Sequence, residues 1–166
     1  MIVGYNAVSS IAQDFWKYWN DRYGFNFELW EHDYIASKLK KSPTRLRLDR
    51  LRTALNQPIL ETNLFAHPSP SQRALEGESK STDVLDFLLD ATKPSVIIAH
   101  GRHASEYIAR RLLLGPSLPV NLRKALSNGR VIGIKGVPHL SRGWSYLKID
   151  ELACEINKFS ISLREK

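Results

Sequence analysis

The sequence predicts an α/β fold of three layers, α/β/α, around a central four-stranded parallel sheet. Four short apolar segments rich in β-branched residues alternate with segments of helical periodicity. Strands that are separated by helices run parallel and take helices on both faces. The chain of 166 residues has the length of one domain, and no repeat or linker divides it. Residues 1–166 are therefore interpreted as a single domain.

The first half of the chain supplies two strands and three helices to this prediction. Residues 11–23 are crowded with aromatic side chains and are interpreted as a helix. Pro43 suits the first turn of another helix, because its missing N–H is not needed there. The predicted elements are a strand over residues 1–5, helices over residues 11–23, 27–41 and 43–56, and a strand over residues 58–62 that ends at Asn63.

The second half supplies the other two strands. Thr82 is a good N-cap residue, and Gly115-Pro116 is a typical helix stop. After a loop over residues 64–80, the predicted elements are a helix over residues 83–91, a strand over residues 95–99, a helix over residues 102–114, a short helix near residues 121–127, a strand over residues 131–136 and an amphipathic helix over residues 149–164.

Positive charge is concentrated in two parts of the chain, whose formal net charge is +7. Residues 102–148 hold nine lysines and arginines against one acid, Glu106, and residues 38–52 hold seven against Asp49. Two such segments in a small chain indicate a polyanionic partner, most often nucleic acid. The arginines of the second segment either contact phosphates or form a solvated helix face.

The composition argues against several classes of protein. Cys154 is the only cysteine, which excludes an internal disulfide and a cysteine-rich zinc site and agrees with a reducing, cytoplasmic location. No apolar run approaches the ~20 residues of a membrane span, and we expect no secretory signal. The sequence has no phosphate loop, Gly-rich dinucleotide turn or paired carboxylates, which weakens kinase, dehydrogenase and metallohydrolase interpretations.

Polar residues follow all four predicted strands, namely Asn6, Asn63, His100 and His139. The carboxyl ends of parallel strands open onto a common crevice, where α/β proteins usually bind ligands. An asparagine presents a donor and an acceptor to the edge of a base, and a histidine can donate to an anion that develops as a bond breaks. His100 is interpreted as a structural residue of its strand end, and His139 as the chemical one.

Four short motifs occur in order along the chain, namely Gly4-Tyr5-Asn6 with Phe15-Trp16-Lys17, Thr62-Asn63, Gly101 with Ala104, and His139-Leu140-Ser141. Their order resembles the uracil-DNA glycosylase superfamily. The first is similar to the Gly-any-Asn motif of the mismatch-specific uracil and thymine glycosylases, which a Phe-Trp-Lys run also follows. The others resemble the uracil-recognising asparagine, the Gly-any-any-Ala helix start and the His-Pro-Ser motif.

The resemblance implies a monofunctional DNA glycosylase of base excision repair, which hydrolyses the N-glycosidic bond of uracil or a related damaged base. Asn6 would position the attacking water, Asn63 would recognise uracil, and His139 would stabilise the leaving base. It implies no metal or redox cofactor. We further expect single- or double-stranded DNA as the partner, no membrane association, and a cytoplasmic monomer, nucleoid-associated in a bacterium.

Further residues are assigned to base and DNA contacts. Tyr5, Phe15 or Phe65 would stack on the base, because the usual stacking aromatic is missing from its place in the first motif. Arg142 and Lys135 would grip phosphates, Trp144 or Arg142 would fill the gap left by the extruded base, and Ser141 would contact DNA.

The sequence departs from the family pattern at three positions that matter. The proline of the first motif is Ala7, the carboxylate of the most active branch is Asn6, and Leu140 replaces the proline of the last motif. Slow turnover is therefore expected. His67-Pro68-Ser69 spells the last motif more closely but follows the second strand, and it is interpreted as a chance match.

Two other functions stay open at this point. A catalytically weak or inactive DNA-binding module of the same fold would keep the basic surface, and a pocket blocked by a large side chain would favour it. A small-molecule enzyme of flavodoxin-like form would have a pocket that basic residues do not line.

Overall fold

The structure, a computed structural model, describes residues 1–6, 15–67, 69, 71–75, 77–115, 123–127 and 130–164. Short 3-10 segments accompany its strands and helices. In chain order the elements are β1 (Ile2–Asn6), β2 (Trp19–Asn20), β3 (Gly24–Phe25), α1 (Phe27–Lys38), α2 (Pro43–Ala54), β4 (Glu61–Phe65), α3 (Asp83–Thr92), β5 (Val96–His100), α4 (Arg102–Arg111), β6 (Arg123–Ser127), β7 (Arg130–Val137) and α5 (Tyr146–Arg164).

The central sheet has the strand order β4-β1-β5-β7-β6. The first four strands are parallel, as predicted, and β6 runs antiparallel to β7. The chain passes from β1 to β4 on one side and then returns to β5 on the other side. The order of the parallel strands therefore reverses between β1 and β5, and this reversal is the topological switch point of the sheet.

Helices cover both faces of the sheet, which agrees with three layers. One core joins buried residues of the sheet to those of α3 and α4, and a second joins the sheet to α2 and α5. Neighbours such as Ile97 and Ile98 belong to different cores, because side chains alternate between the two faces of a strand. None of the described helices is both long and apolar enough to cross a membrane.

Residues 123–127 form a strand, so the prediction of a short helix near residues 121–127 is wrong for them. Ser127 pairs with Arg130, which leaves a two-residue connection of Asn128 and Gly129. Asn-Gly between two strands is the strongest short signal for a hairpin. Asn128 and Gly129 themselves lie outside the described residues.

Residues 15–23 do not form the predicted helix over residues 11–23, of which residues 11–14 lie outside the described part. A 3-10 turn is followed by the small hairpin of β2 and β3. The side chain of Asn20 accepts hydrogen bonds from the backbone N–H groups of Arg22 and Tyr23, and Gly24 has a φ of 75°. Asparagine and glycine favour such turns over helix continuation.

The other predicted helices and strands are confirmed with shifted ends. The second strand begins and ends three residues later than predicted, so Asn63 is its central residue rather than the residue after it. The last helix begins at Tyr146 rather than at residue 149. Residues 116–122, between α4 and β6, lie outside the described part of the chain.

Candidate functional site

Three polar or small residues share one face of the sheet near the carboxyl ends of its strands. Gly4 pairs in register with Asn63, and His100 ends the neighbouring strand β5. Each of the three directly adjoins a residue of the core under α3 and α4, so alternation turns all three toward α2 and α5. They flank the topological switch point, where ligands bind in open α/β sheets.

Gly4 leaves the space in which the side chains of Asn63 and His100 approach each other. A Cβ atom at position 4 would lie 2.7 Å from Oδ1 of Asn63 and 2.8 Å from Nε2 of His100. Both distances are shorter than van der Waals contact, so any side chain here would displace these two groups. A glycine in a strand often marks such a close approach.

His139, which follows β7 by two residues, completes this group. Its ring lies edge-on against the ring of His100, with the centroids 5.2 Å apart and the planes at 71°. It also packs over Gly101, where a Cβ would lie 3.4 Å from Cδ2 of His139. Gly101 has a φ of 87°, a conformation that favours glycine. Gly4, Asn63, His100, Gly101 and His139 are called the strand-end cluster below.

The loop that carries His139, residues 138–145, is fixed by an apolar residue and by an arginine from another element. Leu140 is completely buried in the core under α2 and α5. Arg47 of α2 donates from Nε to the carbonyl oxygen of Trp144 at 2.8 Å and from Nη1 to that of Ser141 at 3.5 Å. The loop is therefore attached both to the core and to α2.

Ser141 determines which nitrogen of His139 carries the proton. Its backbone N–H donates to Nδ1 of His139 at 3.2 Å, and its hydroxyl oxygen lies 2.7 Å from the same nitrogen. Because Nδ1 accepts a hydrogen bond, the proton of the neutral ring lies on Nε2. His139 is thereby a neutral donor through Nε2.

Both histidines of the strand-end cluster are neutral at pH 7. Burial, and then the neighbouring His139, lowers the pKa of His100 from 6.5 to about 4. Burial, and then the positive charge of Arg142, lowers the pKa of His139. The cluster consequently presents an amide and two neutral imidazoles. It can stabilise a developing anion through N–H donors, but it contains no carboxylate or thiol nucleophile.

The structure brings together two residues that were predicted to act on the base. Asn63 and His139 lie on either side of His100 within the strand-end cluster. Asn6 ends β1 at the same edge of the sheet, opposite Phe65 in register, and its side chain lies outside the described part. Their grouping follows from the parallel sheet, which aligns the ends of strands that are far apart in sequence.

The three aromatic residues that were predicted to stack on the base lie elsewhere. Tyr5 and Phe65 contact each other edge to face at 5.2 Å and pack against the core under α3 and α4, on the other face from His139. Phe15 stacks against Trp19 and Phe25 in the aromatic cluster around the small hairpin. The contacts of Phe15 therefore do not support the prediction that this residue stacks on the base.

Lys135 does not lie where its predicted contact with phosphate requires. It is in the middle of β7, opposite Ile98, and its ammonium group forms an ion pair with Glu155 of α5. Only 12% of its side chain is exposed. Strand alternation turns this lysine toward α5, so its charge is used within the protein.

The other three predicted DNA contacts belong to the His139 loop. Ser141 is bonded to His139, and Trp144 is partly buried, with its indole N–H donating to the carbonyl oxygen of Pro138 at 3.3 Å. Trp144 thus braces the loop rather than extending from it as a free wedge. Arg142 is exposed beside His139 and is the one of the three whose side chain is available to a phosphate.

The arginines of α2 are engaged within the protein, which corrects the expectation of phosphate contacts or a solvated face. Arg45 is 8% exposed and binds both carboxylate oxygens of Glu61, at 2.7 and 2.9 Å. Arg50 binds both oxygens of Asp150 at 2.7 Å. The guanidinium carbon of Arg52 lies 3.5 Å from the centroid of the Phe27 ring in α1. Arg45 and Arg50 are therefore paired with carboxylates, and Arg52 packs against an aromatic ring.

Two further residues belong to this site. His100 is interpreted from the sequence only as a structural residue of its strand end, and strand alternation places it on the same face as Gly4 and Asn63. Arg47 is a candidate functional residue that the sequence does not reveal. No local signal points to Arg47, because its partner Trp144 is 97 residues away in the chain.

Comparison with known proteins assigns no family to this chain. No protein-family model matches it, and no curated protein does. Within the described residues, no three histidine, cysteine or carboxylate side chains are grouped as a metal site would require. The strand-end cluster is therefore the basis for any assignment of function.

Proposed function

We propose that this protein is a monofunctional DNA glycosylase that hydrolyses the N-glycosidic bond of uracil or a related damaged base. The observation that carries the proposal is the strand-end cluster, in which the amide of Asn63 and the neutral donor His139 lie on either side of His100 at the switch point of a parallel sheet. The resemblance of the strand-end motifs to uracil-DNA glycosylases supports the same activity.

His139 supplies the stabilisation of the leaving group. The bond between C1′ of the sugar and the ring nitrogen of the base breaks, and its electron pair leaves with the base. Nε2–H of His139 donates to the base as the negative charge develops. Water adds its hydroxyl to C1′ and gives its proton to the base. Asn6, at the end of β1, is assigned to holding that water.

Asn63 supplies the recognition of the base. Its amide can accept from the ring N–H of uracil and donate to the neighbouring carbonyl oxygen, whereas cytosine presents the opposite pattern on this edge. The nucleotide must leave the base stack first, because its C1′ is out of reach within a duplex. Arg142, exposed beside His139, contacts a phosphate near the extruded nucleotide.

The test is excision of uracil from labelled single- and double-stranded oligonucleotides, with alkali to cut at abasic sites. We expect slow excision by the wild type and a loss of about 10²-fold or more in His139→Ala, because one donor to a developing anion is removed. Asn63→Ala should also lose excision. His67→Ala is the matched control, since His67 is exposed and belongs to the competing His-Pro-Ser motif.

Other outcomes have definite meanings. Excision that persists in His139→Ala but disappears in His67→Ala would transfer the role to the second motif. Binding without excision, if weakened by salt, would favour a DNA-binding module of this fold. Neither binding nor excision would remove uracil in DNA as the substrate.

A further inference from the structure

His100 is a buried polar side chain with an unpaired nitrogen. It is 5% exposed, and its Nδ1 has no hydrogen-bond partner in the part of the chain that the structure describes. Buried polar groups are nearly always paired, because an unpaired one keeps the full cost of its desolvation. An apolar side chain of similar size would fill the end of β5 without that cost. Packing alone therefore does not explain a histidine here.

His100 lies next to both Asn63, which is assigned to recognition of the base, and His139, which is assigned to the leaving group. Its Nε2 lies beside the space above Gly4 that Oδ1 of Asn63 also borders. Its ring contacts the ring of His139 edge-on. His100 thus separates the side chain assigned to recognition from the side chain assigned to the leaving group.

The neutral state of His100 preserves this arrangement. Burial lowers its pKa to about 4, so at neutral pH the ring carries no charge that would attract a counter-ion into the site. Arg142 is the charged group that faces His139 from its loop, and it affects His139 rather than His100. A neutral ring keeps one donor and one acceptor nitrogen in fixed positions.

We propose that His100 is a positioning residue, which fixes the amide of Asn63 relative to the imidazole of His139 and thereby sets the preference for uracil over cytosine. The proposal rests on the proposed glycosylase function. His100 acts through these two neighbours, and the base itself contacts Asn63 and His139. Because Asn63 and His139 must contact the same base at the same time, a small displacement of either side chain strongly lowers the rate of excision.

Three variants test this role. His100→Met removes the ring nitrogens at similar size, His100→Gln keeps a polar N–H near the position of Nε2, and Gly4→Ala adds a methyl group that displaces Asn63 and His100 together. We expect His100→Met and Gly4→Ala to lower the excision rate about tenfold to a hundredfold and to narrow the preference for uracil over cytosine. His100→Gln should stay within about threefold of the wild type.

A second measurement does not depend on activity. Nitrogen-15 NMR of the histidine rings should show the Nε2–H form of His139 in the wild type, shifted signals of His139 in His100→Met, and restored signals in His100→Gln. If the signals of His139 are the same in all three proteins, His100 does not position it.

The two proposals fail separately. If the wild type excises no base, the glycosylase function is lost, and the ring signals of His139 still decide whether His100 positions it. If the wild type excises uracil and His100→Met keeps both its rate and its preference, the function stands and the role of His100 is overturned.

Discussion

Gly4 and His100 show how a small residue and a large residue on neighbouring strands together shape the strand-end cluster. Gly4 contributes only empty space, and His100 contributes a ring that fills it from the neighbouring strand. Neither residue carries the chemistry assigned to Asn63 and His139, yet the approach of those groups depends on both. Substitutions at the strand ends should therefore be judged by the space they occupy as well as by their functional groups.

His100 should make the protein more stable as the pH rises from 4 to 6.5. Its pKa is about 4 in the folded protein, against 6.5 for an exposed histidine ring. Between these values the unfolded chain binds more protons, so acid favours unfolding. The contribution is lost progressively as the pH falls from 6.5 to 4 and changes no further below that. The difference is about 3 kcal/mol, at 1.36 kcal/mol for each pKa unit.

Urea denaturation of the wild type and of His100→Gln across this pH range would measure the effect. The free energy of unfolding of the wild type should fall more steeply toward pH 4 than that of the variant, in which the titrating group is absent. Two parallel curves would show that His100 titrates alike in the folded and unfolded states.

The sequence revealed Asn63 and His139 but not the part played by His100. A polar residue beside an apolar segment is visible in the chain itself, so the place of Asn63 and His139 near one edge of the sheet could be predicted, although Asn63 is the central residue of β4. The unpaired nitrogen of His100 depends on what lies beside it in adjacent strands. That information exists only after the register between β1, β4 and β5 is known.

At the scale of elements, Arg47 of α2 holds the His139 loop by hydrogen bonds to its backbone. Replacing Arg47 by Gln should destabilise the protein by about 1.5–3 kcal/mol, because hydrogen bonds from a charged donor to carbonyl oxygens of Trp144 and Ser141 are lost. If the proposed function holds, uracil excision should fall as well. Urea denaturation and the oligonucleotide assay measure the two effects.

Arg50→Gln is the matched control for this prediction. Arg50 lies on the same helix and its ion pair with Asp150 joins α2 to α5 rather than to the loop. An exposed ion pair contributes little to stability, so the control should have nearly wild-type stability and excision. Equal losses in the two variants would show that Arg47 acts by general stabilisation of α2 and not through the loop.

The elements were predictable where their signals are local. Pro43, the apolar spacing of α5 and the β-branched segments all act within a few residues, and those elements are confirmed. The prediction of a helix for residues 123–127 is wrong because a five-residue segment is too short for its periodicity to distinguish a helix from a strand. Their strand depends on pairing with β7 through the Asn128-Gly129 connection.

At the scale of the whole molecule, the number of basic residues overstates the positive charge that is free to contact DNA. Ion pairs with carboxylates of the described residues engage several of the 24 lysines and arginines, namely Lys17, Lys41, Arg45, Arg50, Arg102, Arg111 and Lys135. The number of basic residues therefore does not translate into a matching number of phosphate contacts. Charge counting from sequence cannot distinguish paired from free cations.

If the protein binds DNA as proposed, the affinity should depend only modestly on salt. At a slope of about −0.9 for each phosphate contacted, we expect the logarithm of the binding constant to fall with the logarithm of salt concentration at a slope shallower than about −4. Arg142→Gln should reduce that slope by about 1, and Arg50→Gln should not change it. Fluorescence anisotropy over a series of KCl concentrations gives the slopes. A slope steeper than about −8 would mean that the internal ion pairs open to bind phosphate.

Leu140 connects the mobility of the site to that of the interior. A loop held only by polar contacts opens at little cost, whereas withdrawing a completely buried leucine requires the core under α2 and α5 to loosen with it. Residues 138–145 therefore cannot swing aside as a lid to admit a substrate. Under the proposed function, an extruded nucleotide would enter a site that is already formed. On heating, the geometry around His139 would persist until the fold itself is lost.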